Sequence, residues 1–247
     1  FDFDEMFFFP FETKAIKIGY SVSIGESSLG DIRGYSKYAK DFPYVGLREK
    51  GAKEKVEAIC GHSVVDTVDP VLLLTREDWE TFVDKSSPLA KEKYLLCYLI
   101  DKKPIKQNMA IAEQIAKERG LKIKYIWMHL EKESFRGNFI NDASPVEFLN
   151  YMYHASAVMT DGYHGTVFST IFNKPMYSVI NNRQSTDSRI RDYLTLIGLE
   201  SRIFYGDAPV IPKEEIDYTE VDPKIRSAAD ASKAFLQSAI DNERVVK

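Results

Sequence analysis

From Tyr94 onward, short apolar runs alternate with segments of helical period, and this alternation constrains the fold more than any other feature of the chain. Tyr94 to Ile100 is a continuous apolar run, as expected for a strand that is buried on both faces. Lys106 to Arg119 then places its apolar residues on one helical face, and Gly120 follows as a fitting C-cap. Strands that alternate with helices at these lengths predict a parallel sheet with helices on both faces.

The same alternation continues to the end of the chain. Ser144-Pro145-Val146-Glu147 is a capping box with proline at the first helical position, and it predicts a helix to about His154. Asp222-Pro223 predicts the start of a last helix with one apolar side. The other predicted elements are strands at 122–128, 156–160 and 176–180 and helices at 166–172 and 187–196.

The N-terminal part of the chain, residues 1–70, contains fewer strands and helices. The pattern predicts strands at 15–23, 44–47 and 64–68 and a helix at 50–59. Asp69-Pro70 ends this part, because the residue before proline avoids the helical region and proline donates no ladder hydrogen bond. We therefore expect an α/β protein of two Rossmann-like units, over residues 1–70 and 71–222, followed by a helix over 223–247. The chain begins with Phe1 rather than Met, so we expect the N-terminal unit to be incomplete.

The composition excludes several classes of protein. Hydrophobic residues make up 44% of the 247 residues and charged residues 28%, which is ordinary for a globular chain. The net charge of -4 disfavours nucleic acid as a partner, since such binding needs a basic face. Cys60 and Cys97 have no metal-ligand spacing, so we expect no metal. The apolar runs are too short to span a bilayer and no signal peptide pattern is visible, so we expect a cytoplasmic protein without an integral membrane segment. Peripheral association with the inner face of the membrane stays open.

The turn after Thr160 is the strongest candidate for a functional site. A buried strand is predicted to end there and a helix to begin near Gly165 or Thr166, so the turn lies at the carboxyl end of a strand. The N–H groups of a helix start favour anions. His164 adds a side chain of the type that commonly transfers protons, and Gly165 is expected to let a ligand approach the backbone. The alternative is that Asp161 only caps the helix and His164 only packs.

Three arginines are candidates to bind an anion. Arg183 and Arg189 follow the next predicted strand and lie at the same sheet edge as the histidine turn. Arginine presents a planar fork that suits carboxylate or phosphate. The alternative for this polar stretch is a solvated loop with an N-cap at Asp187. Arg48 follows a strand within residues 1–70, where the residues by themselves favour an ion pair with Glu49 or with the Lys50 to Lys55 region on an exposed surface.

Familiar cofactor motifs do not occur in the sequence. Gly25 to Gly30 has the spacing of a P-loop, but Asp31-Ile32 replaces the required Lys and Ser/Thr. A G-x-G-x-x-G after a strand and a G-x-S-x-G elbow are both missing. We therefore expect no bound cofactor.

Five segments in order resemble the polysaccharide pyruvyl transferase family. Gly46-Leu47-Arg48-Glu49 is similar to the S-V-R-E segment of that family, and residues 160–169 are similar to its T-D-S-F-H-G block, with Gly162 and Tyr163 as departures. The other three matching segments are Lys17 to Gly25, which looks like its first strand and loop, Val68 to Leu74 with Trp79, which looks like its interdomain hallmark, and Arg189 to Arg202, which matches its tail. Each motif is weak by itself, whereas five in the right order are specific.

The resemblance implies a GT-B-like arrangement of the two units, with the C-terminal helix crossing back to the first. It implies transfer of pyruvate from phosphoenolpyruvate, a co-substrate, to sugar hydroxyls of a cell-surface polysaccharide or its precursor, which gives a pyruvate ketal. The acceptor is then a saccharide or lipid-linked saccharide. Catalysis falls to His164, oriented by Asp161. The residues expected to bind substrate are Arg48, Gly165, Thr166, Arg183 and Arg189.

Two other functions fit the same residues. A nucleotide-sugar glycosyltransferase of the same fold would use the helix start and the arginines to hold a diphosphate, because a fold does not determine a function. A non-catalytic protein that binds phosphosugars is the second alternative.

Overall fold

Two parallel sheets form in the part of the chain that the structure describes. The computed structural model describes residues 5–11, 13–24, 34, 36–101, 105–127, 139–180, 188–205, 211–212 and 214–245. The strands are β1 (Ile18–Val22), β2 (Tyr44–Leu47), β3 (Val65–Asp66), β4 (Tyr94–Leu99), β5 (Lys122–Trp127), β6 (Phe139–Ile140), β7 (Ala157–Thr160), β8 (Met176–Ile180) and β9 (Ile203–Tyr205). The helices are α1 (Ser36–Ala39), α2 (Lys53–Cys60), α3 (Arg76–Glu80), α4 (Ile105–Arg119), α5 (Pro145–His154), α6 (Tyr163–Ile171), α7 (Ser188–Ile197) and α8 (Tyr218–Val245).

The chain divides into two compact units. Unit 1 comprises Phe1–Leu73 and Asp222–Lys247, and unit 2 comprises Leu74–Val221. The division between the units therefore falls at 73–74 and again inside helix α8.

Unit 1 is built on the three-stranded parallel sheet β1-β2-β3. Its core includes Val45 and Leu47 of β2 and Val56 and Ile59 of α2, all buried. Helix α8 is tied to this sheet, because the Val68 N–H donates to Ser232 Oγ at 3.0 Å. The Tyr20 hydroxyl of β1 donates to the carbonyl of the same Val68, which follows β3, at 2.8 Å.

Unit 2 has six parallel strands in the order β6-β5-β4-β7-β8-β9. Every residue of β7 and β8 is buried, as are five of the six residues of β4, so helices cover both faces. The chain runs outward from β4 in one direction to β5 and β6, and from β7 in the other to β8 and β9. The order therefore reverses between β4 and β7, which makes the gap between them the topological switch point of a doubly wound sheet.

The expected class, α/β with parallel sheets, is confirmed, and most predicted elements are present within a few residues. The helix expected at 166–172 begins at Tyr163 instead. The last helix begins at Tyr218 rather than Pro223, because the Asp217 carboxylate accepts a bond from the Thr219 N–H at 3.0 Å and caps an earlier turn. Strands β6 and β9 and helix α3 were not predicted; β6 and β9 have two and three residues, too few for a period to show.

Candidate active site

The switch point of unit 2 holds the sequence-predicted turn. Strand β7 ends at Thr160 and α6 begins at Tyr163, so Asp161 and Gly162 fill a two-residue turn at the carboxyl edge of the sheet. In doubly wound sheets, ligands bind outside the carboxyl ends of the strands at such a point. The turn therefore lies where the fold favours a ligand.

Helix α6 begins with the residues that carry the candidate chemistry. Its N-cap is Gly162, which has no side chain to cap the helix, and Tyr163, His164 and Gly165 form its first turn. The first N–H groups of a helix have no partner within the helix and favour an anion. Because the helix starts earlier than predicted, His164 belongs to that turn instead of preceding it.

His164 is exposed, whereas its neighbours on both sides are buried. Its ring stands edge-on to the ring of Tyr163, with centroids 5.5 Å apart. The guanidinium carbon of Arg189, near the start of α7, lies 5.8 Å from the centroid of the same tyrosine ring. Tyr163 thus contacts both the predicted proton-transfer residue and one predicted anion-binding arginine.

Asp161 is held by three hydrogen-bond donors. Its carboxylate accepts bonds from the backbone N–H of Ile100 at 2.6 Å and of Asp101 at 3.3 Å, and from Asn108 Nδ2 at 3.2 Å. These partners lie at the end of β4 and in α4, across the switch point. These bonds hold the end of β4 beside the turn. They do not involve His164, so the orienting role of Asp161 stays a prediction.

Burial dominates the electrostatics of Asp161. The side chain is 6% exposed, and removal from water raises the pKa of the carboxyl to about 7, against the lowering effect of the bond from Ile100. Near neutral pH the group thus exists in both protonation states.

Gly162 and Gly165 are required by packing within the chain. A Cβ at Gly165 would lie 2.2 Å from Thr160 Oγ1 and 2.8 Å from Cδ1 of Tyr98. A Cβ at Gly162 would lie 2.4 Å from Cδ1 of Ile100. The glycine at 165 was expected to admit a ligand, but this close approach to strand side chains explains it.

Thr166 lies in the interior. It has no exposed surface, and its hydroxyl bonds to the Gly162 carbonyl at 3.2 Å and to Ser178 Oγ at 2.8 Å. Its N–H donates to the Gly162 carbonyl at 3.1 Å. Its hydroxyl therefore fixes α6 against β8, and the expected contact of Thr166 with substrate stays a prediction.

Arg48 lies at the carboxyl edge of the sheet of unit 1. Its guanidinium forms an ion pair with Asp69, whose side chain is 3% exposed. Glu49 accepts bonds from the Ser23 hydroxyl and from the Ile24 N–H. The arginine is therefore held in one orientation by a buried carboxylate, the arrangement that preorganises an anion-binding fork.

The remaining expectations are answered in part. Arg183 lies outside the described residues. Among the residues that are described, no group of three or more His, Cys, Asp or Glu side chains is placed to hold a metal ion. A search of the described helices finds none with the length and apolar character to cross a membrane.

Two residues of these edges escaped the sequence analysis. Asn108 is fully buried and donates a hydrogen bond to Asp161. The sequence feature that could have indicated it is a polar residue on the apolar helix face that carries Ile111 and Ile115. Asp69 was noted as a strand terminator, but its pairing with Arg48 depends on the register of β2 against β3.

Similarity to solved structures supports the fold. A putative UDP-N-acetylglucosamine 2-epimerase from Listeria monocytogenes has a TM-score of 0.54 at 13% identity, over 90% of this chain and 68% of that one. The UDP-GlcNAc 2-epimerase from Neisseria meningitidis gives 0.50 at 10% identity, over 91% and 68%. The enzyme from Methanocaldococcus jannaschii gives 0.47 at 14% identity, over 78% of this chain but only 54% of its own. The first two define the class: this is an α/β fold similar to GT-B enzymes.

The family follows from the sequence profile of the polysaccharide pyruvyl transferases, which matches residues 2–183. The chain belongs to this family. The match includes Arg48, Asp69, Asp161 and His164. Among curated protein sequences, none matches the chain significantly.

Proposed function

We propose that this protein transfers pyruvate from phosphoenolpyruvate to two hydroxyls of a saccharide, forming a cyclic ketal and releasing phosphate. The observation that carries the proposal is the exposed His164 in the first turn of α6, with Arg189 on the adjoining tyrosine ring, in a chain of this family. The proposal includes a cytoplasmic location, where phosphoenolpyruvate is found, and a saccharide or lipid-linked saccharide as acceptor.

The chemistry sets what the residues have to do. One acceptor hydroxyl adds to the central carbon of phosphoenolpyruvate while its methylene carbon takes up a proton. The second hydroxyl then adds to the same carbon as phosphate leaves, and each hydroxyl loses its proton. His164 transfers one of these protons, a contribution of about 100- to 10,000-fold in rate. Phosphoenolpyruvate carries a carboxylate and a phosphate, and binding of each anion requires positively charged groups.

We assign anion binding to Arg48, Arg189 and Arg183, together with the N–H groups at the start of α6. The Asp69 carboxylate holds Arg48 so that little side-chain entropy is lost when an anion binds. Stabilisation of the departing phosphate by such fixed charges supplies the remainder of the rate acceleration.

Calorimetric titration with phosphoenolpyruvate tests the binding roles. Arg189→Ala is expected to weaken binding by about 10- to 100-fold, as for loss of one charge-assisted bond. Arg76→Ala is the matched control, because Arg76 pairs with Glu80 in α3 of the same unit, with 39% of its side chain exposed. Equal affinities in both variants would remove Arg189 from the site. Binding of UDP or CMP with no binding of phosphoenolpyruvate would favour the glycosyltransferase alternative.

Turnover tests His164. His164→Ala is expected to lower phosphate release in the presence of acceptor far more than it lowers affinity for phosphoenolpyruvate, because proton transfer matters in the transition state. The control is His154→Ala, which removes a histidine of the same unit whose ring bonds to the Asp84 carbonyl at 2.9 Å. If His164→Ala abolishes binding and leaves the turnover of bound substrate intact, the histidine is a clamp and not an acid–base group.

A further inference from the structure

A groove lies in unit 1 at the end of the sheet where β1 and β2 begin. It encloses about 600 Å³, inside the range of roughly 300–1,000 Å³ that is usual for small-ligand sites. The chain before β1, helix α1 and the turn before β2 form its walls. Arg48 lies at the opposite, carboxyl end of the same strands, so the groove is separate from that anion-binding candidate.

Aromatic rings provide the apolar part of the groove. Phe11 lines it and is 55% exposed, and Phe9 beside it is 53% exposed. The two rings meet edge to face, with centroids 5.9 Å apart. Phe9 has a φ of 46°, which a bulky residue rarely adopts. The fold thus presents two large rings to solvent through an unfavourable turn, and exposed apolar surface beside a concavity is typical of ligand grooves.

Hydrogen-bonding groups surround the rings. Lys17 Nζ lies 3.3 Å from Asp41 Oδ2, and the Asp41 side chain is 58% exposed, so the carboxylate keeps acceptor capacity toward the groove. Thr13 Oγ1 accepts a bond from the Ala15 N–H at 3.1 Å and retains its own proton to donate. Lys37 Nζ lies 4.4 Å from the centroid of the Tyr38 ring at the rim.

We propose that this groove binds a saccharide. Sugar rings have apolar C–H faces, which stack on aromatic rings, and hydroxyls, which donate to carboxylates and accept from ammonium groups. Phe11 supplies the first surface and Asp41, Lys17 and Thr13 supply the second. A membrane surface would be favoured by a purely basic rim, and the exposed Asp41 carboxylate opposes it.

The choice of a saccharide as the ligand rests on the proposed function. The groove would then be a saccharide site in addition to the acceptor site of the reaction. A polymeric acceptor held at this groove stays attached to the enzyme while another part of it reacts, which raises its effective concentration.

Direct binding tests the groove without any need for catalysis. The probes are tri- to hexasaccharides of glucose, galactose and mannose, with transfer of magnetisation from protein to sugar as the readout. Phe11→Ala and Asp41→Asn are each expected to weaken binding by about five- to tenfold. Phe82→Ala is the matched control, because Phe82 is 52% exposed and lies in unit 2; it is expected to leave binding unchanged.

The outcomes separate this site from the proposed function. Saccharide binding that survives in His164→Ala, with phosphoenolpyruvate binding that survives in Phe11→Ala, supports the groove as an independent site. Saccharide binding without any phosphoenolpyruvate binding supports the groove and contradicts the proposed function. The inference is overturned if none of the probes binds, or if Phe11→Ala and Phe82→Ala bind equally. It is also overturned if UMP or anionic vesicles bind through Phe11 and the sugars do not.

Discussion

At the two sheet edges that carry the candidate residues, the buried carboxylates have different partners. In unit 1, Arg48 and Asp69 meet as opposite charges, with 16% and 3% of their side chains exposed. In unit 2, the described partners of Asp161 are backbone N–H groups and an amide, and its pKa rises to about 7. A buried carboxylate beside a cation stays charged, whereas one beside dipoles avoids the desolvation cost by binding a proton. The charge of Asp161 at the edge in unit 2 therefore depends on pH near neutrality.

The largest expected effect comes from breaking the fixed pair. Asp69→Ala leaves the mostly buried Arg48 without this partner and removes the acceptor for the Val71 N–H at 3.1 Å. We expect the free energy of unfolding to fall by about 3–5 kcal/mol, measured by denaturant titration. Asp66→Ala is the control, since Asp66 pairs with Lys53 at half-exposed positions and should cost under about 1 kcal/mol. Equal losses would show that the buried pair is no different from a surface pair.

The pH dependence of stability tests the other edge. The folded-state pKa of Asp161 lies above the ordinary aspartate value of 3.8, so the neutral form is favoured by folding. The stability associated with the neutral group is complete below the unfolded pKa and is lost as the pH rises through the folded value. Asp161→Asn does not titrate. The free energy of unfolding of wild type minus that of Asp161→Asn should therefore fall by about 2–4 kcal/mol between pH ~4 and pH ~8.

Taking the difference between the two proteins cancels the titration of the other carboxyl groups. A difference that stays flat over this range would mean that Asp161 is charged throughout. A difference that rises with pH would mean that its pKa is lowered by folding.

Local pattern predicted the elements of both units better than their interactions. The capping box fixed helix α5 and the apolar run fixed β8, with no error in either bound. The partners of Asp161 come from Ile100 and Asn108, more than fifty residues away, and no periodicity encodes which strand ends meet. The residue types of the turn indicated a site. The roles within it depended on strand order and register, which only the folded chain supplies.

Close packing is a second difference between the edges. A Cβ at Gly165 would lie 2.2 Å from Oγ1 of the fully buried Thr160, whereas one at Gly46 in unit 1 would lie 2.6 Å from Cγ2 of Thr67. We expect Gly165→Ala to cost about 2–3 kcal/mol in unfolding free energy and Gly46→Ala about 1–2 kcal/mol. Gly34→Ala, with nothing within 4 Å of the new methyl group, should stay within about 0.5 kcal/mol of wild type. A neutral Gly165→Ala would contradict the packing explanation for this glycine.

The smallest effect concerns how α8 is held in unit 1. Ser232 is 1% exposed, and its hydroxyl accepts from the Val68 N–H at 3.0 Å while it donates to the Ala228 carbonyl at 2.9 Å. Ser232→Ala leaves the Val68 N–H without that acceptor, at a cost of about 1–3 kcal/mol, and alanine returns about 0.5 kcal/mol through its higher helix propensity. Thermal and denaturant unfolding should show a net loss of about 1 kcal/mol.

Ser238→Ala separates the two contributions, because Ser238 is exposed on the same helix and keeps only the propensity gain. It should stabilise the protein by a few tenths of a kcal/mol. If both serine variants stabilise the protein equally, the bond from Val68 does not hold α8 to the sheet, and packing of apolar side chains such as Phe235 against Gly46 has to account for its place in unit 1. If Ser232→Ala alone destabilises, the edge that holds Arg48 and Asp69 includes α8, since Val68 directly precedes Asp69 in the chain.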